Sequence, residues 1–162
     1  MSYVESDMDF SPLFENSSMH SFYLEKSDFY KQTADLKTVE FVTIDTDAVH
    51  FIEAKRSVPR EMADFCEDIY EKFYHSLNLM VTNELGTGKY KAEDLSEHFN
   101  ELFKNRQVIF ILIVKGMPIE HCTFVKNALE ERFFQNKILS LVWNVKVIVY
   151  NHEISRKKNL IN

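Results

Sequence analysis

The chain is poor in glycine and proline and has no long hydrophobic run. Three glycines and three prolines in 162 residues leave little room for long flexible linkers. The longest apolar stretch, residues 108–114, is far too short to span a bilayer and is typical of a strand buried on both faces. The acidic Glu5, Asp7 and Asp9 stand where a secretory signal would carry basic residues. We therefore expect no membrane association and a cytoplasmic location.

Cysteine is scarce, and acidic residues outnumber basic ones. These features argue against a disulfide-bonded or cysteine-ligated metal protein and against broad nucleic-acid binding. Cys66 and Cys122 both fall on the apolar side of predicted helices, which indicates reduced core thiols rather than a disulfide or a metal pair. The net charge of -6 argues against a protein that grips nucleic acid over a broad surface, because such proteins usually carry a basic stripe. Any contact with phosphates has to come from a local basic groove.

The apolar content is sufficient for a packed core. With 45% hydrophobic and 14% aromatic residues, the chain can form one compact domain, which we place at residues 21–152. Residues 1–20 are rich in Ser, Asp, Asn and Met without a period, so we expect a loosely ordered N-terminal arm. Residues 153–162 contain Arg156-Lys157-Lys158 and are expected to form an exposed tail.

Hydrophobic periodicity predicts helices and strands in alternation. The predicted elements are a short strand over 19–24, a short helix over 27–34 capped by Ser27, paired strands over 39–44 and 49–55, a long amphipathic helix from Pro59 to about Gly86 or Gly88, a second helical pattern from Leu95 to Phe103, a buried strand over 108–114, a helix from Pro118 to Phe133, and a strand over 141–150. This order predicts an α/β fold, a three-layer sandwich with a central mixed β-sheet flanked by helices.

The paired strands carry two acids and a lysine among apolar neighbours, where charges are costly unless something binds them. A two-residue turn at Thr46-Asp47 produces an even register. That register pairs Ile44 with Val49, Val42 with Phe51 and Glu40 with Glu53. Lys55 lies two residues beyond Glu53 and therefore on the same face. An odd-length turn would break up both the apolar match and the charge cluster, so we favour the even register.

The sequence of this strand pair resembles that of a known superfamily. The run Glu40-Phe41-Val42-Thr43-Ile44, followed after a turn by Phe51-Ile52-Glu53-Ala54-Lys55, resembles the PD-(D/E)XK superfamily of nucleases and restriction-endonuclease-like domains. In that superfamily an acid on one core strand faces an acid-any-lysine triplet on the next. The resemblance covers residues 21–150 as a topology and implies a restriction-endonuclease-like core. The chain departs from the family in having Glu40 where aspartate is usual, and in having Glu67, Asp68, Glu71 and Lys72 where some branches carry a glutamine motif.

The resemblance implies a metal-dependent nuclease that hydrolyses phosphodiester bonds of DNA, in DNA processing or in defence. Glu40, Glu53 and the backbone carbonyl of Ala54 would hold Mg²⁺ or Mn²⁺, which neutralises phosphate charge and activates water. Lys55 would orient the attacking water or stabilise the developing charge. Beside two carboxylates its amine should stay protonated, so we assign it the electrostatic part rather than that of a general base.

Neighbouring residues extend the expected site. Family members often add an acid from the preceding helix, and the nearest candidates are Glu25 and Asp28. The expected phosphate contacts are Lys26, Arg56 and Arg60. A small domain is also expected to need a homodimer or a protein partner to grip duplex DNA.

A different interpretation of the same residues stays open. Glu40, Glu53 and Lys55 could form a charge cluster at a sheet edge, with Lys55 neutralising one glutamate. The protein would then be a non-catalytic protein-interaction module on the same fold, binding a partner through its acidic surface. The even register also removes Asp45 and Asp47 from the metal site. It pairs Asp45 with Ala48, which lies five residues from Glu53 and so about 16 Å away at ~3.3 Å per residue.

Overall fold

A five-stranded mixed β-sheet forms the centre of the fold in the computed structural model, which describes residues 3–33, 35–87 and 99–162. From edge to edge the strands are β3 (His20–Tyr23), β4 (Phe41–Ile44), β5 (Ala48–Lys55), β6 (Gln107–Val114) and β7 (Lys146–Asn151). Strands β3, β4 and β5 pair antiparallel, whereas β5, β6 and β7 pair parallel. The predicted α/β class with a mixed sheet is confirmed.

Helices and short elements connect these strands. The helices are α1 (Ser11–Glu15), α2 (Asp28–Gln32), α3 (Met62–Glu84), α4 (Cys122–Gln135) and α5 (His152–Lys157), and a short hairpin of β1 (Val4–Glu5) and β2 (Met8–Asp9) precedes them. Short 3₁₀ helices cover Leu24–Lys26 and Ile119–His121, and a π-helix covers Ile138–Val142. Within the described residues, no helix has both the length and the apolar character needed to cross a membrane.

The long helix α3 packs with α4 on one face of the sheet. Its apolar positions recur at three- and four-residue steps, which places them on one helical stripe. Phe73 from this stripe stacks on Phe110 of β6 with ring centroids 4.6 Å apart. Cys66 and Cys122 are buried in this same core as free thiols, as predicted.

The opposite face of the sheet is covered by the N-terminal residues, which corrects one expectation. Phe10 is fully buried and its ring lies 4.7 Å from that of Phe41 in β4. Met8 and Leu13 join the same apolar cluster, so residues 3–15 are packed and are not a loosely ordered arm. Ile161 is also buried there, so the expected exposed tail is exposed only in part.

The turn between β4 and β5 has the predicted register. Its N-terminal residue, Asp45, accepts backbone hydrogen bonds from Asp47 and Ala48 through Oδ1, both at 2.8 Å. An aspartate that caps its own turn in this way is a common turn device. Ile44 is paired with Val49 and Val42 with Phe51, as the even register requires.

Several predicted element boundaries differ from the structure. Helix α2 is capped as expected, since Ser27 Oγ accepts a hydrogen bond from the Tyr30 amide. Helix α3 begins at Met62, beyond Pro59. The predicted strand over 141–150 begins only at Lys146, because Ile138–Val142 form the π-helix. Ala34, Gly88 and Leu95, which mark predicted helical segments, lie outside the described residues.

Candidate functional site

Two buried glutamates lie side by side where β4 begins and β5 ends. Glu40 immediately precedes β4, and its Oε2 accepts a hydrogen bond of 2.8 Å from the Ala54 amide of β5. The segment before it is fixed to α3, because the Val39 amide donates to Ser76 Oγ at 2.9 Å. Glu53 is 0% exposed and Glu40 is 5% exposed. Burying one carboxylate is costly, and burying two together is more so.

Two lysines converge on one oxygen of Glu53. Lys72 Nζ, from α3, lies 2.7 Å from Glu53 Oε1 and 3.8 Å from Glu40 Oε1. Lys55 Nζ, from the end of β5, lies 3.1 Å from Glu53 Oε1. The second oxygen, Glu53 Oε2, has no hydrogen-bond partner among the described residues. The lysine contacts are therefore made with Oε1, and Oε2 is left to a protonated neighbouring group or to a cation.

The protonation of Glu40 follows from this crowding. Burial, and then the adjacent Glu53, raise the pKa of Glu40 well above its ordinary range, and the attraction of Lys72 only partly opposes them. A proton on Glu40 removes the repulsion between the two carboxylates and supplies a donor towards Glu53.

Lys72 keeps its charge in this site, whereas Glu40 is protonated and neutral. Burial disfavours its ammonium form, but the charges of Glu53 and Glu40 outweigh burial and raise the pKa of Lys72 above its ordinary value. Lys72 is thus a permanent cation within the described site, and it cannot act as a base at neutral pH.

A chain of alternating charges runs from the glutamates to the surface of α3. Lys55 Nζ also lies 3.3 Å from Asp68 Oδ2, and Lys37 Nζ joins Asp68 and Glu71 at 2.9 Å each. Burial would raise the pKa of Asp68, but hydrogen bonding to Lys37 and the charge of Lys55 keep it below the ordinary value. Asp68 therefore stays ionised and holds the Lys55 ammonium beside Glu53.

A second group of acids meets Glu40 from the other side. Carboxylate oxygens of Glu5, Glu25 and Glu40 all lie within 4.8 Å of one another. Burial, to which Glu53 and Glu5 add, raises the pKa of Glu25 despite the nearby Lys72. Of the two additional acids expected from sequence, the structure therefore brings Glu25 to the site. Asp28 instead pairs with Lys31 at 2.7 Å on the surface of α2.

The remaining expected site residues are engaged by the N-terminal hairpin or lie at the surface. The Ala54 carbonyl accepts a hydrogen bond of 3.1 Å from Ser6 Oγ. Lys26 Nζ lies 3.1 Å from Glu5 Oε1, and Arg60 is exposed in the loop before α3. Arg56 Nη2 donates to Asp7 Oδ1 at 3.0 Å.

Sequence reasoning missed Lys72 as a site residue, although it noted Lys72 on the predicted helix. The sequence contains a signal for it. Asp68, Lys72 and Ser76 lie between Phe65 and Leu79 at three- and four-residue steps, so these polar residues share a helical stripe with apolar ones. Polar residues on a stripe that faces a core are expected to meet buried polar partners. Those partners are Glu53 and the segment before β4.

Comparisons with protein-family models, with curated proteins and with solved structures find no match for this chain.

Proposed function

We propose that this protein is a metal-dependent nuclease with a restriction-endonuclease-like core, in which Glu40 and Glu53 hold Mg²⁺ or Mn²⁺ and DNA is the substrate. The observation that carries the proposal is the fully buried Glu53, which lies beside a second carboxylate and whose Oε2 has no partner among the described residues other than the proton that Glu40 carries. A divalent cation is the ligand that such a pair of oxygen donors suits best.

The residues around the pair fit a cation in chemical type. Glu53, Glu40 and the Ala54 carbonyl offer only oxygen atoms, and Glu25 and Glu5 place further oxygens near Glu40. When bound, the cation would neutralise phosphate charge and lower the pKa of a water molecule. The Ala54 carbonyl also accepts from Ser6 Oγ, which engages one of its two lone pairs and leaves the other for a cation.

The acidic and basic residues of the site have different roles in this proposal. Glu40 would release its proton to solvent on holding a cation, because the ionised carboxylate is the form that binds metal. Lys55 and Lys72 would stabilise negative charge that develops on the phosphate. Asp68 positions Lys55 by accepting from it at 3.3 Å.

The surrounding fold is compatible with a restriction-endonuclease-like core, with a three-layer sandwich and with a cytoplasmic location. The order α2, β4, β5, α3, β6, α4, β7 supports the proposed restriction-endonuclease-like core, because it is the order on which the resemblance rests. Helices α3 and α4 cover one face of the sheet and α1 the other, in keeping with a three-layer sandwich. The buried free thiols favour a reducing compartment such as the cytoplasm.

A second candidate function rests on the position of Lys72. Its ammonium contacts both carboxylates and so neutralises the pair in part without a metal. Ile138, Leu141 and Val142 are 56%, 76% and 75% exposed on the π-helix, which is typical of a protein-interaction surface. These features favour a non-catalytic interaction module with a protein partner.

Metal titration separates the two functions. Mg²⁺ and Mn²⁺ are titrated calorimetrically into the wild type, Glu53→Gln and the control Asp47→Asn, which changes one exposed carboxylate in the turn at the far end of β5. The nuclease proposal expects binding by the wild type and the control and none by Glu53→Gln, followed by metal-dependent cleavage of labelled DNA. Absence of metal binding by the wild type would overturn it in favour of the interaction module.

A further inference from the structure

The tip of the β1–β2 hairpin touches several residues of the candidate site at once. Three consecutive side chains make these contacts: Glu5 with Lys26 at 3.1 Å, Ser6 with the Ala54 carbonyl at 3.1 Å, and Asp7 with Arg56 at 3.0 Å. Two of the three contacts are made by carboxylates on basic residues expected to bind phosphate. The tip therefore presents negative charge where a nucleic-acid backbone is expected.

Lys115 completes a pair of donors around Asp7. Its Nζ donates to the Asp7 carbonyl at 3.0 Å, while Arg56 donates to the Asp7 carboxylate. The two basic residues are neighbours because β5 and β6 end together, with the Gly116 amide 2.8 Å from the Arg56 carbonyl. An ideal Cβ at Gly116 would lie 3.0 Å from that oxygen, so glycine permits the close approach. Two cationic donors that converge on one acidic residue are also suited to one phosphate.

The contacts of the tip are replaceable. Arg56 and Asp7 are 71% and 56% exposed, and exposed ion pairs contribute little to stability. Ser6 and Asp7 both have left-handed backbone conformations, with φ of 50° and 59°, which aspartate tolerates and which are unfavourable for serine. The hairpin is held instead by Met8 and Phe10, which are buried next to the tip. A competing anion can thus displace the tip without unfolding the segment.

An apolar groove begins directly beside the basic pair. It starts at Ser57 and Gly116, the residues that follow Arg56 and Lys115, and it has a volume of about 470 Å³. Its lining includes Val58, Met62, Met117 and Phe124, and the Phe124 side chain is 65% exposed. An aromatic surface next to cationic donors suits unpaired bases, which stack on aromatic rings while their phosphates meet the cations.

We propose that Arg56 and Lys115 bind the backbone of single-stranded DNA, that Phe124 and the adjoining groove receive its bases, and that the Glu5-Ser6-Asp7 turn occupies the basic pair in its absence. This inference rests on the proposed function, for which it names the substrate class. An acidic depression adjoins the groove at Ser57 and Pro59, and its Glu61 and Asp64 would repel a strand along α3. The strand is therefore expected to run over the ends of β5 and β6.

The test is fluorescence anisotropy with a labelled oligothymidylate in EDTA, so that metal binding plays no part. We expect Asp7→Asn, which keeps a residue that tolerates the left-handed conformation, to bind about two- to five-fold more tightly than the wild type because it removes the competing carboxylate. The double variant Arg56→Gln/Lys115→Gln should bind at least about ten-fold more weakly. Its slope of log affinity against log salt should fall by about 0.7 for each lost phosphate contact. Phe124→Ala should weaken binding by about five-fold or more.

Matched controls make the result decisive. Asp47→Asn changes the net charge as Asp7→Asn does but lies at the opposite end of β5, so it should leave the affinity unchanged. An equal gain with Asp47→Asn, tighter binding of the matched duplex than of the single strand, or no binding by either the wild type or Asp7→Asn would each overturn this inference. Binding in EDTA together with a failed metal titration would support it while overturning the nuclease function, so the two failures are distinguishable.

Discussion

Lys72 Nζ of α3 lies 2.7 Å from Oε1 of Glu53, a carboxylate with no solvent exposure. This contact joins the long helix to the strand that carries the expected catalytic triplet. It also places a cation against the carboxylate pair before any metal binds. Lys72 therefore neutralises the carboxylate pair in part. A divalent cation that binds the pair would lie close to this ammonium group.

Removing this cation should destabilise the protein strongly. Lys72→Met leaves Glu53 buried with only Lys55 as counter-charge, and we expect a loss of about 3 kcal/mol in the free energy of unfolding, at the low end for a broken buried pair. Urea denaturation measures the loss. Lys37→Met, which removes an exposed lysine of the same network, should change stability little.

A second substitution tests whether the loss comes from the uncompensated charge. Adding Glu53→Gln to Lys72→Met should restore part of the lost stability, because the charge that Lys72 neutralised is gone. A double variant whose loss is the sum of the two single losses would show that Lys72 does not stabilise the fold through Glu53.

The raised pKa of Glu40 predicts a pH dependence of stability. Above the ordinary glutamate value of 4.5, folded Glu40 keeps a proton that the unfolded chain releases. The folded state then binds more protons, so this contribution to stability is complete at acid pH and is lost as the pH rises towards the folded pKa. Relative to Glu40→Gln, the wild type should lose about 1.4 kcal/mol per pH unit in that window.

The measurement is a series of urea denaturations of the two proteins in EDTA, from acid to neutral pH. Glu40→Gln keeps an oxygen that can accept from the Ala54 amide, so the fold should persist. Stability curves that stay parallel across the whole range would contradict a proton on Glu40.

Metal binding should release a proton. A divalent cation favours ionised Glu40, so its binding and deprotonation are coupled. Calorimetric titration in buffers of different ionisation enthalpy counts the protons released. We expect less release from Glu40→Gln than from the wild type, because only Glu25 then keeps a raised pKa beside the cation, and any remaining binding should be weaker. An apparent enthalpy that does not vary with the buffer would count against this coupling.

The exposed apolar residues of the π-helix are expected to matter for association and not for folding. Replacing Leu141 and Val142 by serine should change the free energy of unfolding by less than about 0.5 kcal/mol per site, because both are exposed in the described chain. If this surface mediates association, light scattering should show less self-association in the variant. A large loss of stability instead would show that these residues belong to the core.

The sequence predicted the pairing of β4 with β5 best, because strand residues alternate between the two faces with a period of two. The even register followed from matching like residues across the turn, and the structure pairs Val42 with Phe51 accordingly. It did not predict Lys72, since periodicity identifies the face of a helix but not which long side chain reaches a buried carboxylate. The end of the π-helix, Leu141 and Val142, was predicted as strand, because Leu141, Trp143 and Val145 alternate as strand residues do.

The N-terminal residues show a different limit. Met8, Phe10 and Leu13 have no helical or strand period, and their burial depends on the second face of a sheet formed much later in the chain. Local pattern cannot anticipate such long-range packing. The tip of this hairpin is nevertheless what meets Ala54 and Arg56.

The turn from Asp45 to Ala48 has an evolutionary consequence. Exposed turns are usually where related proteins gain and lose residues. Here a single added residue would change which side chains of β4 and β5 face each other, and it would separate Glu40 from Glu53 without touching either. Substitutions at the exposed Thr46 should be tolerated, whereas changes of length should not. Any homologue that keeps the two glutamates should therefore align with this chain through the turn without a gap.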